Sequence, residues 1–137
     1  VGTKERPTWY PTGTYIWPVY GRITSRFGYR SIFGSYSYHS GLDIAVPYGT
    51  SVKASDGGTV TFAGYKGSYG YLVIINHGNG EQTYYGHNSS LLVSAGDKVY
   101  QGQTIAKAGS TGRSTGSHCH FEIRINGTAV NPAAYLN

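Results

Sequence analysis

The chain has 137 residues, 39% of them apolar, with 21 glycines, 14 tyrosines, five histidines and one cysteine; that suits one compact domain and excludes two independent ones. The longest stretch free of both Gly and Pro, Ser117 to Asn126, is ten residues, shorter than a mean helix of about 11–12, so a helical bundle is excluded. Eleven basic residues against six acidic ones give a formal charge of +5, which favours a polyanionic partner surface. The basic residues are scattered with no stripe, so nucleic acid is not expected as that partner.

Residues 1–15, with Pro7, Pro11 and Gly13, lack periodicity and predict a linker or extended arm cut from a longer polypeptide. This segment has neither the basic start nor the apolar core of a signal peptide, and no run of about 18 apolar residues exists, so a chain without its own export signal or membrane span is expected. From Ile16 to Phe27 the pattern is mixed, and Tyr29 to Gly41 predicts a long loop rich in Tyr, Ser and Gly. From Leu42 onward strand signals are dense: LDIAV, SVKA, TVTFAGY, YLVIINH, EQTYYGH, LLVSA, KVY, TIAKAG and HCHFEIRI, separated by turns such as DGG, GNGE and AGD. Strands of this length and spacing predict an all-β, mainly antiparallel fold, either a two-sheet sandwich or a partly open barrel. The ending VNPAAYLN allows at most one helical turn.

Four of the five histidines fall into settings with chemical meaning. In YHSGLD, His39 and Asp43 are four apart, and Gly41 lets the chain curl so that both meet one point. They form either a pair of zinc ligands or a simple hydrogen bond. In HCHFEIRI, His118 and His120 are two apart on a strand and share a face, whereas Cys119 points to the other side, into the core. The two imidazoles either reach one metal or form a surface pair. His87 in TYYGHNSS ends a strand, as an active-site group or as a surface residue, and His77 in INHGNG is expected to cap a hairpin turn.

Three protein ligands and an open position define a catalytic zinc site, whereas four ligands close a structural one. If His39, Asp43 and one of the H-x-H pair bind zinc, the other imidazole and His87 remain beside it for proton transfer and oxyanion binding. There is no H-E-x-x-H and hence no glutamate base of that kind. Glu122, on the same strand face as His120, is either a partner that orients a ligand ring or a solvated strand residue.

The segments GRITSRFGYR, YHSGLDIAVPYGTSVKASDGGTV, VIINHGNG, TYYGH, VSAGDKVYQGQTIAKAGSTGRSTGSHCHFEI and NPAAYL resemble the lysostaphin and LytM type of zinc metallopeptidase, over roughly residues 16 to 136. The resemblance implies an antiparallel β fold with a narrow groove, a peptidase domain over 16–137, and one zinc ion held by His39, Asp43 and His120. His87 and His118 are similar to the family's two catalytic histidines. By the same resemblance the substrate is bacterial peptidoglycan, and the location extracellular or wall-associated. The chain would be a monomeric domain of a larger protein. Loops flank the groove in this family, so Tyr36, Tyr38 and Tyr85 are candidates to contact substrate, and Arg113 is a candidate to pair with a stem-peptide carboxylate. The scissile bond, a direct cross-link or stem-peptide bond against a pentaglycine bridge, is left open. A catalytically silent wall-binding or scaffolding module is the alternative.

Overall fold

A computed structural model describes residues 10–32, 35–112 and 116–136, with backbone alone for 29–32 and 35–37. The fold is all-β and mainly antiparallel. Its strands in chain order are β1 (Arg22–Ser25), β2 (Gly28–Ile32), β3 (Ser35–His39), β4 (Leu42–Ala45), β5 (Ser51–Lys53), β6 (Gly58–Tyr65), β7 (Tyr71–Gly78), β8 (Glu81–Leu91), β9 (Lys98–Val99), β10 (Thr104–Ala108), β11 (His118–Ile125) and β12 (Thr128–Val130). Among the described residues, ten strands form one open sheet in the order β1-β4-β11-β8-β7-β6-β9, with β12 beside β11 and with β10 joining β8 to β5. Strands β2 and β3 form a separate antiparallel hairpin where a loop was expected from composition. Short 3-10 turns at Gly67–Tyr69 and Pro132–Ala134 are the helical content among the described residues, and none is long and apolar enough to cross a membrane.

The sheet encloses a core because its strands alternate. On β4, Leu42 and Ile44 are buried while Asp43 and Ala45 are half-buried on the other face. On β11, Cys119, Phe121 and Ile123 join the same core. Burial of such side chains, at about 25 cal/mol per Å² of apolar surface, is the main stabilising term. Cys119 thus faces away from the histidines beside it, and burial pushes its thiol up to about 12, as a small apolar core residue requires.

Strand β8 is the pivot of the sheet. Its first part pairs with β11 from Glu81 to Gly86, and its last part with β10 from Asn88 to Leu91. Between them, against β7, it carries one extra residue between Tyr85 and Asn88. His87 sits at this bulge with φ 63°, a left-handed conformation uncommon outside glycine.

Two expectations are corrected here. The boundary placed at residue 16 falls inside packed structure: the Thr12 and Gly13 backbone N–H groups donate to the Asp56 carboxylate, Tyr15 is buried and bridges to Leu136, and its hydroxyl binds Glu81. His77 does not cap a turn. It is a buried residue of β7 whose Nδ1–H donates to the Gly57 carbonyl at 2.7 Å, while Nε2 meets the Thr83 hydroxyl at 2.8 Å. The turn beyond it is made by Asn79 and Gly80 at positive φ.

Burial lowers the His77 pKa below its ordinary 6.5. The unfolded chain therefore binds more protons below about pH 6.5, and this contribution to stability is lost as pH falls from there through the folded-state pKa. Thermal unfolding with chelator present should show the melting temperature of the wild type falling between pH 7.5 and 5, and falling less steeply for His77→Gln. Parallel pH profiles would show that His77 carries no such linkage.

Candidate metal centre and its flanking histidines

The antiparallel register sets Asp43 of β4 directly opposite His120 of β11, with His118 opposite Ala45. Strand alternation then puts His118, His120, Glu122 and Arg124 on one face. His39, the last residue of β3, meets them across the short Ser40–Gly41 connection. Gly41 is required here for close approach: a Cβ would lie 2.4 Å from the Phe121 carbonyl oxygen and 3.1 Å from His120 Cε1. His120 Nδ1 lies 2.8 Å from Asp43 Oδ1, and His39 Nε2 lies 3.3 Å from Asp43 Oδ2. The donor atoms of His39, Asp43 and His120 all lie within 4.8 Å of one another. A tetrahedral ion with bonds of about 2.0–2.2 Å separates its ligands by roughly 3.4 Å.

The hydrogen bonds at the far side of each ring fix its tautomer. A carbonyl only accepts, so His39 Nδ1, 3.0 Å from the Arg26 carbonyl, carries the proton and leaves the Nε2 lone pair towards Asp43. His120 differs in that both its ring nitrogens face carboxylates, Nε2 2.7 Å from Glu122 and Nδ1 2.8 Å from Asp43; with Nε2–H held by Glu122, Nδ1 is the atom left for an ion. Two imidazole lone pairs and one carboxylate thus converge, which is the donor chemistry a divalent zinc ion takes. Burial alone would push the Asp43 carboxyl up, but His120 and His39 in their protonated, ion-free forms donate to it and hold it far below the usual range. It is an anion throughout the neutral range.

His87 and His118 flank this cluster, with ring centroids 4.7 Å apart and the His87 ring 5.8 Å from that of His120. Regular alternation along β8 would send His87 to the core face with Thr83 and Tyr85. The bulge reverses it. His87 Nδ1–H donates to the Thr111 carbonyl at 2.7 Å and His118 Nδ1–H to the Gly116 carbonyl at 2.9 Å, so in both neutral rings Nε2 holds the lone pair. His118 Nε2 lies 3.6 Å from Asp43 Oδ1. Burial, and then the neighbouring imidazoles, outweigh the Thr111 hydrogen bond and lower the His87 pKa. His87 is therefore neutral at pH 7.

Of the residues expected to contact substrate, Tyr85 is corrected. It is fully buried, receives a hydrogen bond from the Ser55 backbone N–H, and shares one with the Thr83 hydroxyl. Tyr38 is 50% exposed one residue before His39, its ring edge-on to Phe27. Tyr36 lies in β3 with its backbone opposite Ser31, and its side chain, like the whole of Arg113, is outside the described residues. Sequence reasoning missed Thr111 and the Lys66–Gly70 turn. Gly70 seats this turn on Thr111, whose carbonyl anchors His87.

The open, mainly antiparallel sheet has the lysostaphin-type fold, and the cluster is a group that could hold a metal ion. Residues 37–132 match the profile of Peptidase family M23, and the chain belongs to that family. Over 118 residues it is 50% identical to a Neisseria meningitidis protein named DD-carboxypeptidase/endopeptidase Mpg, covering 85% of this chain and 27% of that protein. Over 126 residues it is 40% identical to the Escherichia coli murein hydrolase activator EnvC, covering 92% of this chain and 30% of that one. The catalytic domain of lysostaphin, the antimicrobial peptidase of Staphylococcus simulans, matches with a TM-score of 0.76 at 31% identity, covering 84% of this chain and 91% of the other. The chain spans less than a third of the length of the two sequence relatives.

Gly70 has φ 66°, and a Cβ there would lie 2.4 Å from the Thr111 backbone. Gly70→Ala should cost about 1–3 kcal/mol in denaturant unfolding and shift the NMR signals of the His87 ring. An unchanged unfolding midpoint would remove Gly70 and Thr111 from this account.

Proposed function

We propose that this chain is a zinc-dependent endopeptidase domain that hydrolyses peptide bonds in bacterial peptidoglycan. The observation that carries the reading is the convergence of donor atoms. His39 Nε2, Asp43 and His120 Nδ1 lie within 4.8 Å of one another, while His87 and His118 stand beside them with ring centroids 4.7 Å apart and their Nδ1 atoms held by carbonyls. His39, Asp43 and His120 would hold the ion, and zinc there supplies Lewis acidity, polarising a carbonyl and acidifying water near pH 7.

The chain's own groups do the proton work. His118 takes a proton from the attacking water at Nε2, and the Asp43 carboxylate 3.6 Å away faces the positive charge that the ring acquires. The same Nε2–H then returns the proton to the leaving amine. His87, neutral through burial, offers its Nε2 lone pair to the second hydrogen of that water and so orients it for attack. Tyr38, half-exposed beside His39, is placed to meet the substrate chain, and Tyr36 and Arg113 are proposed for the same role. Peptidoglycan as substrate is supported by membership of the family and by relatives whose names refer to peptidase or murein hydrolase function, and it implies a location in the bacterial cell envelope, within a longer multidomain protein. A second reading, a module that acts on the wall without cleaving it, is favoured by the similarity to a protein named as an activator. The full set of five chemistry-bearing groups weighs against it.

Mass spectrometry of digests of two sacculi, one with pentaglycine bridges and one with direct cross-links, is expected to show new termini that disappear with chelator. His118→Ala should keep zinc and lose about 10²–10⁴-fold in turnover, whereas His39→Ala should lose both metal and turnover. Wild-type turnover by His118→Ala would overturn the assignment. Binding to both sacculi without new termini would establish the second reading.

A further inference from the structure

Strand alternation places Glu122 on the same face as His118 and His120, where a solvated side chain would be ordinary, yet it is 0% exposed. Its carboxylate is saturated with donors. Oε2 receives the Ser40 hydroxyl at 2.8 Å, the Tyr69 hydroxyl at 2.8 Å and His120 Nε2 at 2.7 Å, while Oε1 receives Arg124 Nε at 2.8 Å and Nη2 at 2.7 Å. Arg124 Nη2 also donates to the Tyr69 hydroxyl at 3.3 Å, and its guanidinium lies over the Tyr84 ring at 4.7 Å. Tyr69 also lies against His120 directly, its ring centroid 5.7 Å from the imidazole.

A buried ion pair of this kind is weak support for stability, because apolar side chains of similar volume often fill such a site equally well. What the carboxylate does that an apolar group cannot is accept the proton on His120 Nε2. A neutral imidazole with Nε2–H held in this way presents its Nδ1 lone pair on the opposite edge, towards Asp43 and His39, where an ion would take it. The carboxylate can do so only if it is itself prevented from rotating. The two Arg124 N–H groups on Oε1 and the Tyr69 hydroxyl on Oε2 supply that restraint.

We propose that Tyr69 and Arg124 are positioning residues of the metal centre: by clamping the buried Glu122 carboxylate from two sides, they fix the orientation and tautomer of His120. The inference rests on the reading that His120 Nδ1 is a zinc ligand. It also makes the turn before β7 a structural link from the rim of the site to one of its ligands, since Tyr69 ends the Gly67–Tyr69 turn.

The test is zinc affinity itself, measured on the purified chain by competition with a chromophoric chelator at fixed pH. Glu122→Gln, Tyr69→Phe and Arg124→Gln should each weaken zinc binding, by about 10-fold or more, the range found when partners of metal-ligating histidines are removed. Tyr15→Phe removes a comparable tyrosine–carboxylate contact, with Glu81 at the other end of β8, and should lower the melting temperature without changing zinc affinity. Circular dichroism identifies any variant that does not fold, and Arg124→Gln and Tyr69→Phe test the clamp independently. Wild-type affinity in both of them would overturn the inference while leaving the zinc site standing. Absence of zinc binding by the wild type would instead overturn the reading on which it rests.

Discussion

The pairing of β4 with β11 is the constraint on which the site depends. Because Asp43 stands opposite His120 in an antiparallel register, a carboxylate and an imidazole meet at cross-strand distance without any loop having to bring them together. A slip of one residue would turn His118, His120, Glu122 and Arg124 into the core and bring Cys119 and Phe121 out. The apolar set Leu42, Ile44, Cys119, Phe121 and Ile123, all buried, forbids that slip. The hydrophobic core and the metal centre are thus two faces of one register, and whatever stabilises the first holds the geometry of the second.

Around this pair, each remaining imidazole is fixed by what its outer nitrogen touches. Carbonyls of Arg26, Thr111 and Gly116 take the Nδ1–H of His39, His87 and His118, whereas a carboxylate takes the Nε2–H of His120. These four contacts fix which nitrogen each ring offers, and position then divides the rings: His39 and His120 lie with Asp43 in one group of donor atoms, while His87 and His118 stand beside it. Backbone carbonyls do the orienting in three cases, which is why the loops that carry them belong to the site as much as the rings do. Membership of Peptidase family M23 is consistent with such a division of roles.

Much of this was legible in the residues. The two-residue spacing of His118 and His120 and the alternation of HCHFEIRI place both rings on one strand face and Cys119 on the other, because a strand has period two. The strand-rich, all-β character followed from Gly- and Asp-marked turns. What was not legible came from departures from regularity. Tyr85 and His87 share a parity, so a reading that admits His87 to the site admits Tyr85 as well. Only the extra residue between Tyr85 and Asn88, invisible to periodicity, separates them. The Tyr29–Gly41 stretch reads as loop because it is rich in Ser, Tyr and Gly, although Gly28–Ile32 and Ser35–His39 pair as antiparallel strands. Tyr69 and Arg124 carry no motif: their roles arise from a long-range meeting at Glu122 that no local pattern encodes.

The most direct test of the central claim, that His39, Asp43 and His120 form the donor set, is the zinc K-edge X-ray absorption spectrum of the zinc-loaded chain. The account predicts one zinc per chain with two imidazole nitrogens and a carboxylate oxygen at about 2.0–2.2 Å, the remaining coordination being solvent. Three or four imidazoles, or a sulfur at about 2.3 Å, would contradict it, as would failure to bind zinc stoichiometrically.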